Sequence, residues 1–95
     1  MEQKIQLKHP AGKKAFKMDT EKYGLIKKAI LECLKKEGGL THKEMFEAIN
    51  ESFKKNKTSF IGSIEWHMEW VKLDLEARKE IKRMADSLPI IFKLV

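Results

Sequence analysis

The stretch Gly38-Gly39-Leu40-Thr41-His42-Lys43-Glu44 constrains the fold more than any other part of the chain. Glycine reaches the left-handed backbone conformation by which a chain leaves a helix. Thr41 and Glu44 stand at capping-box spacing. There the hydroxyl accepts the N–H three residues on, and the carboxylate reaches back to the first N–H. One helix must therefore stop at the glycines and a second must start at Thr41. Leu40 and Met45 have the spacing of a hydrophobic staple, which fixes the angle of entry into the second helix.

The flanking segments supply the apolar faces. Asp19 or Thr20 starts the first helix, both being good N-cap residues. Tyr23, Ile26, Ile30, Cys33 and Leu34 recur on one face of it. In the second helix Met45, Phe46, Ile49 and Phe53 form the buried face, which runs out into the basic turn Lys54-Lys55-Asn56-Lys57. A third helix is predicted from about Ser59 to about Arg78. Phe60, Ile61, Ile64, Met68, Val71 and Leu75 line one side of it, and Trp66, Trp70, Leu73 and Ala77 the opposite side. Glu65, Glu69, Lys72 and Glu76 form one flank; His67, Asp74 and Arg78 form the other. A helix apolar on two sides is buried on both or offers one to a partner.

Both ends change period. Ile5 and Leu7 alternate with polar residues, which suits a short strand. His9-Pro10-Ala11-Gly12 is a turn signal, and Ala15 to Met18 is a second short extended piece. Near the C-terminus Ile81 and Met84 belong to a strand, and Ala85-Asp86-Ser87-Leu88-Pro89 makes a connection. Ile90, Phe92 and Leu94 then alternate with Ile91, Lys93 and Val95 as a final strand. The expected fold is one α+β, mostly helical domain over 1–95. It comprises an N-terminal extended basic segment (1–18), three helices (19–78) and a C-terminal β-hairpin (79–95).

A chain of 95 residues has room for one core and little for an enclosed active-site cavity. With 36% charged and 42% hydrophobic residues it has a globular composition. No apolar run approaches the ~20 residues of a membrane span, and no apolar stretch follows Met1-Glu2-Gln3-Lys4 as in a signal peptide. Cys33 stands alone, which rules out an internal disulfide, and the cytoplasm is the expected compartment. On the apolar stripe of the first helix, Cys33 is expected to be a buried structural thiol rather than a nucleophile.

The net charge of +6 is unevenly spread: +4 over residues 1–18, +2 over 19–58, −2 over 59–78 and +2 over 79–95. A basic chain attracts polyanions over long range, although many small proteins are this basic merely for solubility.

The order helix, Gly-Gly-Leu link, helix, basic turn, long helix, hairpin resembles the winged helix, a helix-turn-helix variant. The most specific stretch is Val71-Lys72-Leu73-Asp74-Leu75-Glu76-Ala77-Arg78 with Ile81 and Arg83 behind it. It is similar to the Leu-Glu-x-Arg-Gly-Leu-Ile run with which such domains end their third helix. Here Lys79-Glu80 stand where that run prefers Gly-Leu. Either the helix overruns by a turn, or Lys79 adopts the glycine-like conformation. The whole chain also resembles a group of small uncharacterised bacterial proteins, through His9-Pro10, the Tyr23 helix, and Trp66 to Ala77 ahead of a final strand.

The resemblance implies that the start of the third helix reads DNA, which points to Thr58, Ser59, Ser63 and His67. Lys54, Lys55 and Lys57 stand just before it for phosphate contacts, and Lys82, Arg83 and Lys93 would serve on the wing. Two features oppose base reading: the third helix is net acidic, and it holds no Arg, Asn or Gln before Arg78. The leading expectation is a non-catalytic nucleic-acid-binding or accessory protein, with double-stranded DNA as partner. The alternative is an interaction or homodimerisation module using Trp66, Trp70 and Leu73, aromatic anchors rimmed by charge. That stripe either packs under the N-terminal segment or the wing, or is exposed to a partner.

Catalysis finds no support in the residues. His9, His42, His67 and Cys33 lack metal-ligand spacing, and no Gly-x-Ser-x-Gly, phosphate-binding glycine loop or His-Glu-x-x-His occurs. His67 is expected to make a local structural hydrogen bond. No catalytic residue, metal, cofactor, small-molecule substrate or membrane partner is expected.

Overall fold

The computed structural model describes residues 4–12, 16–84 and 88–95. Among these, strand β1 (Lys4–Gln6) and strand β2 (Lys17–Asp19) precede helix α1 (Thr20–Glu37). Strand β3 (Leu40–Thr41) leads into helix α2 (His42–Lys55), and helix α3 (Ile64–Ala77) precedes strands β4 (Ile81–Met84) and β5 (Ile91–Leu94). The domain is α+β and mostly helical, with two small antiparallel sheets. Ala15, Ala85, Asp86 and Ser87, assigned above to extended or connecting segments, lie outside the described residues.

The helix ends follow from their residues. Asp19 caps α1 by accepting the Lys22 N–H at 3.1 Å. Gly38, at φ 79°, ends it with its N–H on the Leu34 carbonyl. The Thr41–Glu44 capping box is formed in both directions, at 3.2 and 3.0 Å. The Thr41 backbone N–H, and after it the Thr41 hydroxyl, hold the Glu44 carboxyl below its usual range.

Helices α2 and α3 both end in Schellman motifs with lysine in the left-handed position. For α2, Lys57 (φ 52°) donates to the Lys54 carbonyl and Thr58 to that of Phe53. For α3, Lys79 (φ 62°) donates to Glu76 and Glu80 to Leu75. Of the two possibilities open at the end of α3, the glycine-like lysine is the one adopted.

The predicted third helix was too long at its start. Ser63 caps α3 by accepting the Trp66 N–H at 3.1 Å. Thr58 to Gly62 form an irregular approach, so Phe60 and Ile61 are not on the helix face. Gly62 at φ 108° turns the chain where a side-chain-bearing residue is strained, and that turn resets the helix start.

The link between α1 and α2 is more than a spacer. Leu40 and Thr41 pair with Phe92 and Ile91, giving a three-stranded sheet of order β3-β5-β4. Gly39 lies close under this sheet: a Cβ there would stand 3.0 Å from Ile91 and 3.3 Å from Lys93. The β1–β2 hairpin packs on the helices instead, in the register Lys4↔Asp19, Ile5↔Met18, Gln6↔Lys17. The core joins Leu7 and Met18 of that hairpin with Ile26, Ile30 and Leu34 of α1. Tyr23 of α1, Leu40 of β3, Met45, Ile49 and Phe53 of α2, Met68, Val71 and Leu75 of α3, and Ile81 and Phe92 of the C-terminal sheet complete it. Cys33 is half-buried rather than enclosed.

Candidate nucleic-acid interface

The basic turn is the best-formed feature among the expected site residues. Lys54 and Lys55 end α2, and the Schellman bonds fix Lys57 and Thr58 directly behind them. All three lysines are exposed, as is Ser59, while Thr58 is half-buried. Ser63 is spent on capping α3. His67 places Nδ1 2.7 Å from the Ser63 carbonyl, the local structural bond expected of it.

The C-terminal hairpin divides its cations. Arg83 lies on the helix-facing side, where Nε donates to Glu76 at 2.9 Å and its guanidinium stands 5.3 Å from the Phe92 ring centre. It is committed within the fold. Lys82 and Lys93 are exposed and directly opposite each other across β4 and β5. Like charges directly opposite on a sheet repel, and an anion between them relieves that cost.

Two charged residues on the polar flanks of α3 are buried. Asp74 is 0% exposed. Its Oδ2 accepts the Tyr23 hydroxyl at 2.5 Å and Arg78 Nε at 2.8 Å, and its Oδ1 accepts the Lys8 backbone N–H at 2.8 Å. Burial and the bond to Asp74 push the Tyr23 hydroxyl well above the usual tyrosine range. The same carboxylate raises Arg78 further. Lys72 is 3% exposed. Its Nζ lies 3.4 Å from Glu69, 3.1 Å from His42 Nδ1 and 4.4 Å over the Phe92 ring. Burial pulls its pKa down, and Glu69 opposes that. Helical periodicity missed both because the β1–β2 hairpin and the C-terminal sheet close over flanks that α3 alone would leave wet. The Asp74–Arg78 spacing of four residues, beside a lone tyrosine in the chain, was the available signal.

The tryptophan stripe packs against the N-terminal segment. The Phe16 ring meets Trp70 edge-on at 4.8 Å and Trp66 at 5.9 Å. Trp70 and Leu73 are half-buried, while Trp66 keeps 45% and Phe16 54% of their surface exposed. Phe16, absent from the expected site, therefore belongs to this surface.

A groove of about 730 Å³ lies between α1 and α2. Its rim alternates Lys36, Lys54 and Lys55 with Glu32, Glu37 and Glu51, so it has no preference for anions. Cys33 opens on it with its Sγ on the Ile30 carbonyl at 3.1 Å, and burial pushes the thiol up to about 11, unlike a nucleophile. Among the described residues no group of three His, Cys, Asp or Glu is placed to hold a metal ion. Nor is any helix there long and apolar enough to cross a membrane.

No curated protein and no solved structure matches the chain. A family model does match, over residues 4–90, and the chain belongs to that family of unknown function, DUF6958.

Proposed function

We propose that this is a non-catalytic winged-helix protein that binds nucleic acid through its basic turn and wing rather than through α3. The observation that carries the reading is the turn itself. Lys54, Lys55 and Lys57 project from a backbone locked by two Schellman bonds, and the lysine in the left-handed position bears the strain. A turn whose backbone is already fixed loses little backbone entropy on meeting phosphates. Lys82 and Lys93 add a second anchor on the wing. The element order, three helices and then a hairpin joined by β3, supports the winged-helix reading. Against groove reading by α3, Phe16 covers part of its tryptophan face, and Glu65, Glu69 and Glu76 line a flank.

The test is anisotropy of a labelled random-sequence duplex at low and moderate salt. Binding should weaken steeply with salt, and Lys54→Ala/Lys55→Ala/Lys57→Ala should reduce the log–log salt slope by about three. An unchanged slope would refute the role of the turn.

A second reading has its own observation. Trp66 and Phe16 are in contact and half-open, an apolar surface of the kind that mediates protein contacts. Homodimerisation through it would appear as a doubled solution mass.

A further inference from the structure

Five rings form a continuous row along the edge that starts at the basic turn. Phe53 meets Phe60 at 5.8 Å, Phe60 meets His67 at 4.9 Å, His67 meets Trp66 at 4.9 Å, and Trp66 meets Phe16 at 5.9 Å. The two rings at the far end are half-open to solvent. Lysines accompany the row. Lys22 Nζ stands 5.8 Å over the Phe60 ring, and exposed Lys57 lies three residues before Phe60. The segment that carries Phe16 is the most basic of the chain, +4 over residues 1–18. Among acids, Glu65 is exposed beside Trp66, whereas Glu69 is compensated by Lys72.

A row of aromatic faces with lysines at its Phe60 end matches a strand whose bases stack on the rings while its phosphates meet the cations. A closed duplex hides those base faces, so it gains nothing from the rings. Resting on the nucleic-acid reading above, we propose that the Phe60–Trp66–Phe16 row is a stacking platform for unpaired nucleobases, making the ligand at this edge single-stranded DNA or RNA. Trp66 and Phe16 take the bases, and Lys22 and Lys57, at the Phe60 end, take the phosphates.

The experiment titrates the full chain with an oligothymidylate of about ten nucleotides and with a duplex of equal length, following tryptophan emission and anisotropy. The single strand should quench the emission and bind more tightly than the duplex. Phe16→Ala and Trp66→Ala should each weaken single-strand binding by about tenfold and leave duplex binding unchanged, while Trp66→Phe should retain most of the affinity. Unchanged circular dichroism keeps these variants interpretable, and Phe16 lies at an exposed edge where truncation spares the core. If the ring variants bind like the wild type while Lys54→Ala/Lys55→Ala/Lys57→Ala does not, the platform is overturned and the nucleic-acid reading stands. Failure to bind either probe removes both. A concentration-dependent dimer that shields the tryptophans would also overturn the platform, assigning the row to a second copy of the chain.

Discussion

Tyr23 on α1 donates its hydroxyl to Asp74 on α3 at 2.5 Å, and this buried bond joins the two helices where the N-terminal hairpin also attaches. Because Asp74 also accepts from Arg78 and from the Lys8 backbone, three elements converge on one carboxylate. Among the described residues no buried side-chain polar atom lacks a partner, so each acceptor lost here strands a donor.

Asp74→Ala is therefore expected to cost about 3 kcal/mol, since it leaves a guanidinium and a buried hydroxyl unpaired. Tyr23→Phe removes one donor and leaves the Asp74–Arg78 pair intact, so it should cost about 1–2 kcal/mol. Urea denaturation of the three proteins measures both, and equal losses would contradict the convergence on Asp74.

The same bond sets an alkaline limit. The Tyr23 pKa is raised in the folded state, so the folded state holds that proton more tightly than the unfolded chain. The resulting stability is fully present below the unfolded tyrosine value, near pH ~10, and is lost as pH rises beyond it. Tyr23→Phe should flatten the decline of stability between about pH 10 and 12. Lys72 acts in the opposite sense. Its pKa is depressed, so its contribution is present above the usual lysine range and is lost as pH falls.

Lys72→Met should be neutral or stabilising by about 1 kcal/mol at neutral pH. It replaces a buried ammonium with an apolar side chain of similar length against Phe92. A loss of about 3 kcal/mol would show instead that the contacts to Glu69 and His42 outweigh the desolvation of the amine.

The two left-handed lysines separate stability from binding. Lys79→Gly and Lys57→Gly both relieve strain at a positive φ and should each raise stability by up to about 1 kcal/mol in thermal melts. Only Lys57→Gly should weaken nucleic-acid binding, because Lys79 lies at the end of α3 away from the turn. Equal binding by the two variants would remove Lys57 from the interface.

The local instructions were legible in the chain. Thr41 with Glu44, Asp19, Gly38 and the alternation at Ile5/Leu7 and Ile90/Phe92/Leu94 each act over a few residues, so their structural outcome depends little on the rest of the molecule. The apolar stripes of α1 and α2 were equally plain, because one face of each meets the core. Where the reading failed, the deciding contact was distant in sequence. Asp74 is buried because Lys8, 66 residues away, closes over it. Lys72 is buried because Phe92 lies under its amine. Two-residue β3 has too little length for a periodic signal and exists only through its partners in β5.

The site divides in the same way. The basic turn is set by the sequence itself, since lysines after the last apolar residue of a helix remain in water wherever the helix packs. The aromatic row is a product of tertiary structure. Phe16 and Trp66 are 50 residues apart in the chain, and only the docking of the N-terminal hairpin on α3 brings their rings to 5.9 Å. Periodicity places a residue on a face of its own element, but a surface assembled from several elements is decided by how those elements pack.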